Sequence, residues 1–236
     1  MNTVARAALA CAAAGVLGAA PVAHAGVVTF DDVLLGFQGD GGSLVSGGFR
    51  FEQAGDFGGV ADAEAFSLFG NAPLGNATQY YAGFNDSAVT MTRDGGGTFR
   101  LAGLAYGFVS PLGGAVAPGV DPGALVLEAL ATDGAAYRLS AAWGAADGDG
   151  RFAFQLLGGA ALGQLAALDL WSLSFSACTV DDGGDCVSPY LNLNQFAIDD
   201  ITLVPEPSSI ALLILALGAA AALRTRRTTA AGGRPA

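Results

Sequence analysis

The chain has 236 residues, 52% of them hydrophobic, with 36 glycines, ten basic residues, 21 acidic residues, one histidine and a formal net charge of −11. All ten basic residues are arginine, so Schiff-base and Ser-Lys chemistry are excluded. Between Gly26 and Val204, 20 carboxylates face five arginines, and the resulting charge of −15 repels a phosphate backbone, which rules against nucleic acid as a partner.

At the N-terminus, Arg6 precedes an uncharged, largely Ala/Leu/Val run from Ala7 to Ala20, and Ala23-His24-Ala25 stands before Gly26. This layout predicts a secretory signal peptide over residues 1–25, cut between Ala25 and Gly26. The removed peptide contains the sole histidine, His24, and one of three cysteines, Cys11. The exported body then has no histidine, which excludes Ser-His-Asp and Cys-His hydrolases and histidine-ligated metal enzymes. Gly-x-Ser-x-Gly is also missing. A carboxylate-only glycan hydrolase or lyase remains the enzymatic alternative. The expectation is a non-catalytic protein.

Residues 26–203 are long enough for one domain with a sizeable core. Short β-rich runs are separated by turn clusters such as Asp94-Gly95-Gly96-Gly97 and Asp133-Gly134. Strands are predicted over 48–53, 65–69, 88–93, 98–109, 124–132, 136–143, 151–157, 168–177 and 195–203. In the eighth run, Trp171, Leu173 and Phe175 are expected on one face, with Ser172, Ser174 and Ser176 on the other. The pattern predicts an all-β fold, an antiparallel β-sandwich of jelly-roll-like type. A glycine-rich β-solenoid is the competing architecture, but no fixed repeat period supports it.

Three features of this body are candidate sites. Phe30-Asp31-Asp32 opens it and Phe196-Ala197-Ile198-Asp199-Asp200-Ile201 closes it. Domain ends often lie together, so Asp31, Asp32, Asp199 and Asp200 are candidate ligands of a structural Ca²⁺; no cofactor is otherwise required. The apolar positions slip phase across Asp199-Asp200, which predicts a bulge there. Asp147-Gly148-Asp149-Gly150 is a second calcium candidate, set against a plain solvated turn. Tyr80-Tyr81 with Phe84, Asn85 and Asp86 is a candidate sugar platform, although adjacent tyrosines on a strand face opposite ways. Trp143 and Trp171 read as core. Cys178 and Cys186 flank a turn-forming stretch and read as a disulfide in an oxidising compartment, with free thiols or a metal pair as alternatives.

Past Leu203 the composition changes. Val204-Pro205-Glu206-Pro207-Ser208-Ser209 leads into an entirely apolar segment, Ile210 to Leu223, and then Arg224-Thr225-Arg226-Arg227. The prolines forbid helix upstream, so an extended stretch should precede a membrane helix. At 1.5 Å per residue that helix is about 21 Å long, a marginal span suited to a temporary anchor. Arg224, Arg226 and Arg227 should stay cytoplasmic, leaving the acidic body outside.

This order of parts resembles the PEP-CTERM sorting signal of Gram-negative bacteria, over residues 204–227, with a short tail at 228–236. Thr225 interrupts the arginine cluster. The resemblance implies an exosortase-type sorting peptidase as partner, transient residence in the inner membrane, and delivery to the cell envelope, cell surface or extracellular matrix. It also implies a role with extracellular polysaccharide, with a purely structural or adhesive envelope protein as the alternative.

Overall fold

The computed structural model describes residues 26–66, 70–111, 123–180, 186–187 and 195–204. The first strands are β1 (Val27–Val28), β2 (Gly36–Gly39), β3 (Ser43–Ser46), β4 (Phe49–Ala54) and β5 (Phe57–Ala61), followed by the single helical turn α1 (Ala63–Phe66). Next come β6 (Gly70–Asn71), β7 (Tyr80–Phe84), β8 (Ala88–Arg93), β9 (Leu101–Phe108), β10 (Ser110–Pro111), β11 (Ala124–Ala131) and β12 (Ala136–Ala142). The chain continues through β13 (Gln155–Gly158), a 3₁₀ segment at Gly159–Ala167, β14 (Leu170–Val180), β15 (Cys186–Val187) and β16 (Phe196–Leu203).

The strands form two antiparallel sheets packed as a β-sandwich. One sheet runs β13-β9-β16-β7-β5-β2, with β1 also paired to β16. The other runs β12-β11-β14-β8-β4-β3, with β15 added on β14. Between them lies a core that includes Phe30, Phe51, Tyr81, Met91, Leu127, Phe175, Phe196 and Ile198. Each fully buried large side chain contributes roughly 1.5–3 kcal/mol.

Apart from the first half of β11, where Ala124–Leu127 are all buried, the second sheet alternates as half-buried strands should. In β4, Phe49, Phe51 and Gln53 are buried while Arg50, Glu52 and Ala54 are exposed. The first sheet differs, because its outer face is also covered. Tyr80, Ala82 and Phe84 pack there with Phe66, Phe37, Phe57 and Phe154. Every residue of β7 is therefore buried.

Two expectations are corrected. Of the strand expected over residues 65–69, residues 67–69 lie outside the described residues, and at 65–66 Asp62 Oδ1 accepts the Ala65 N–H at 2.7 Å and caps a helical turn over Ala63–Phe66 instead. Trp171 was expected in the core beside Leu173 and Phe175. The pairing of β14 with β11 shifts register opposite Leu130 and Ala131, so that Leu130 faces Ser172 but Ala131 faces Leu170. The extra residue is Trp171, which is left 48% exposed while Leu170 takes the core position. Trp143 is in the core, as expected.

Candidate functional site

The two ends of the described body meet on β16. Val27 pairs with Thr202 and Val28 with Ile201, and the Leu203 N–H donates to Gly26 O at 2.8 Å. Val204 N–H then donates to Arg100 O at 3.0 Å. The residue that opens the Val-Pro-Glu-Pro stretch is thus fixed at the end of a strand held between β9 on one edge and β7 and β1 on the other. Pro205, Glu206, Pro207, the apolar segment and Arg224, Arg226 and Arg227 lie outside the described residues, as do residues 1–25, including Ala25. Among the described residues, no helix is long and apolar enough to cross a membrane.

The expected bulge is present. The register of β16 against β9 shifts between Asp199 and Thr202, and Asp200 has φ 47°. The four aspartates near it diverge. Asp32 accepts bonds from Ser46 Oγ at 2.5 Å and from the Gly47 N–H at 2.9 Å. These bonds, the Ser46 hydroxyl first, lower its carboxyl from the ordinary value. Asp31 Oδ1 accepts the Gln79 N–H at 3.2 Å. Asp199 is fully buried and receives Asn76 Nδ2 at 2.6 Å and Thr78 Oγ1 at 3.2 Å, both on Oδ2. Burial pushes its carboxyl up to about 6, against the pull of the Asn76 bond. Asp200 lies on the outside, beside an open groove of about 480 Å³ shared with Val27, Gly103, Leu156 and Thr202. Among the described residues, no group of three or more His, Cys, Asp or Glu side chains is placed to hold a metal ion.

The Asp147 loop is closed on itself. Asp147 Oδ1 accepts the N–H groups of Asp149 and Arg151, both at 2.9 Å, and the Arg151 guanidinium lies 3.2 Å from Asp147 and 3.3 Å from Asp149. This arrangement is a turn whose two carboxylates share one arginine. Tyr80 and Tyr81 do face opposite sides of the sheet, but both are fully buried and Phe84 is 3% exposed, so they form no sugar platform. The covered outer face of the first sheet is the reason.

Val180 pairs with Cys186 across the β14–β15 hairpin, which folds the segment from Cys178 back along itself. Cys178 is buried; the Cys186 side chain lies outside the described residues.

A surface that the sequence reading passed over is the outer face of the second sheet. Cross-strand register aligns Arg138, Glu128, Ser174, Thr90, Glu52 and Ser43 in one row across six strands. Thr90 Oγ1 and Ser174 Oγ are 2.8 Å apart, and Arg138 lies 3.7 Å from Glu128. Trp171 and Leu130, 48% and 42% exposed, stand at one end of this face. The alternating Ser172-Ser174-Ser176 pattern was the signal for it.

No curated protein and no solved structure matches the chain. Residues 203–227 match the family model described as the PEP-CTERM protein-sorting motif. The chain therefore carries a PEP-CTERM sorting motif, the mark of an exported protein recognised by an exosortase in the cell envelope.

Proposed function

We propose that this chain is a non-catalytic envelope protein of a Gram-negative bacterium, whose β-sandwich is released at the surface by exosortase-type processing and binds extracellular polysaccharide. The observation that carries the reading is the sorting motif at residues 203–227, which begins on the last strand of the exported body. In this reading, cleavage after Ala25 starts the mature chain at Gly26. Ile210–Leu223 is the temporary membrane helix, and Arg224, Arg226 and Arg227 hold its cytoplasmic end.

The polysaccharide part is supported by the outer face of the second sheet. A row of hydroxyls and paired charges, bordered by an exposed indole, offers hydrogen bonds to sugar hydroxyls and a ring to stack on a pyranose. The β14–β15 hairpin, which turns Cys186 back along β14 to within two register positions of Cys178, supports a Cys178–Cys186 disulfide. Crossing between sheets along β7-β8-β9 and β13-β14-β16 supports a jelly-roll-like topology.

The test is Glu206→Ala expressed in the native host. The expected result is a precursor that keeps its C-terminal segment and fractionates with the inner membrane. Processing and release at the level of the unaltered protein would overturn the sorting reading.

A further inference from the structure

On the outer face of the second sheet the charge of this acidic body cancels. The outward positions of β12, β11, β14, β8, β4 and β3 carry two arginines, Arg50 and Arg138, and two glutamates, Glu52 and Glu128. The stretch from Gly26 to Val204 as a whole carries −15. Both guanidiniums are shared with carboxylates: Arg50 donates to Asp94 Oδ1 at 2.9 Å and to Ser43 Oγ at 3.4 Å, and Arg138 lies 3.7 Å from Glu128. The other three arginines of the body are held elsewhere, Arg93 by Thr98 O, Arg100 by Asp169, and Arg151 by Asp147 and Asp149.

Between the charged positions lies a patch of hydroxyls. On the central pair β14 and β8, Ser172 stands opposite Thr92 and Ser174 opposite Thr90, with Thr90 Oγ1 and Ser174 Oγ 2.8 Å apart. A hydroxyl has one proton and two lone pairs, so this contact leaves capacity for a ligand. Glu128 flanks Ser174 on one side, and Glu52 and Arg50 flank Thr90 and Thr92 on the other. The register shift of β14 against β11 makes Trp171 the extra residue next to Ser172, and its indole is 48% exposed. Bulges re-aim side chains, and this one sets an aromatic ring at the border of the hydroxyl patch. Six strands span about 24 Å, room for several linked sugar rings.

On the basis of the polysaccharide reading above, we propose that this face takes an uncharged glycan, stacked on Trp171 and hydrogen-bonded by Ser172, Ser174, Thr90 and Thr92. A polyanion such as a uronate chain meets the −15 of the body and two arginines already shared with carboxylates. A polycation is drawn to carboxylates over the whole body, a salt-dependent attraction that does not select this face. Hydroxyls and an aromatic ring recognise a neutral sugar without either charge effect.

The test is retention of the detergent-solubilised full chain on four immobilised polymers: dextran and hydroxyethylcellulose, which are uncharged, alginate, which is anionic, and chitosan, which is cationic. Each is run in about 0.01 M and about 1 M salt, between which the Debye length falls from about 30 Å to about 3 Å. Retention on an uncharged polymer, the same at both salts, is expected, with none on alginate and with retention on chitosan lost at high salt. Thr90→Val with Ser174→Ala removes two hydroxyls without changing charge and should weaken retention on the uncharged polymer about fivefold or more. Thr92→Val with Ser172→Ala, on the neighbouring row, should weaken it in the same sense. Retention on a charged polymer that equals or exceeds the uncharged ones at high salt overturns the uncharged class and leaves the polysaccharide reading standing. Retention on none of the four overturns both. Retention on an uncharged polymer that neither double variant weakens overturns the site.

Discussion

Asn76 Nδ2 donates to Asp199 Oδ2 at 2.6 Å, joining residues 123 positions apart in sequence at the bulge of β16. The bond fixes the loop before β7 onto the strand that continues into the sorting motif. Asn76→Ala should destabilise the protein by about 1.5–3 kcal/mol, the range for a hydrogen bond to a charged group. Urea unfolding followed by tryptophan fluorescence measures it.

Gly83 makes room for Phe196. A Cβ at Gly83 would come 2.4 Å from the Phe196 ring, which is fully buried. Gly83→Ala should cost about 1–3 kcal/mol through overpacking. Combined with Phe196→Leu, its cost should shrink, and a double-mutant cycle in urea reads the coupling. Equal costs in both backgrounds would contradict the contact.

The exposed indole separates binding from folding. Trp171→Ala should change stability by about 1 kcal/mol or less, since surface substitutions are mild. The same variant should lose retention on matrix polysaccharide in affinity electrophoresis. Unchanged retention would remove the outer face of the second sheet from the binding surface.

Arg100 clamps Asp169 with two bonds, at 2.6 and 3.0 Å, and holds its carboxyl below the ordinary value of 3.8. The N–H of Arg151 acts in the same direction on Asp147. A carboxyl lowered in the folded state gives stability that is present above its unfolded pKa and lost as pH falls through its folded one. The contribution of these two carboxyls to the unfolding midpoint should therefore fade as pH falls below about 4, where Asp169→Asn should flatten part of the loss, whereas Asp199, raised to about 6, acts in the opposite sense at higher pH.

Reduction of the proposed Cys178–Cys186 bond should cost about 2–3 kcal/mol on the chain-entropy model for so short a loop. Unfolding with and without a reductant, with Cys178→Ser/Cys186→Ser as the control that reductant leaves unchanged, measures it.

What could be read from the sequence depended on how many faces of a strand meet solvent. β4 and β8 alternate apolar and polar residues, and both were anticipated within a residue or two. β7, Tyr80–Phe84, is buried on both faces and carries no alternation, so its tyrosines looked like a surface cluster. The glycine-rich β5 gave no strand signal either, yet Gly59 is required there, because a Cβ would lie 2.1 Å from Gly36 O. The phase slip at Asp199-Asp200 did announce a bulge, but the shift beside Trp171 left no such mark and inverted the face of that residue. At the site, the meeting of first and last strands followed from the paired ends of the domain. Asn76 and Gln79 were invisible as partners of Asp199 and Asp31, since their contacts exist only once distant strands have paired.

The most direct measurement is intact mass, with terminal peptide mapping, of the protein recovered from the envelope and medium of its native host. A mature chain beginning at Gly26 and ending near Pro205, without Ile210 to Ala236, is the predicted product of export and exosortase-type processing. A surface-exposed chain that retains Ile210 to Ala236 would contradict it and make the C-terminal segment an ordinary membrane anchor.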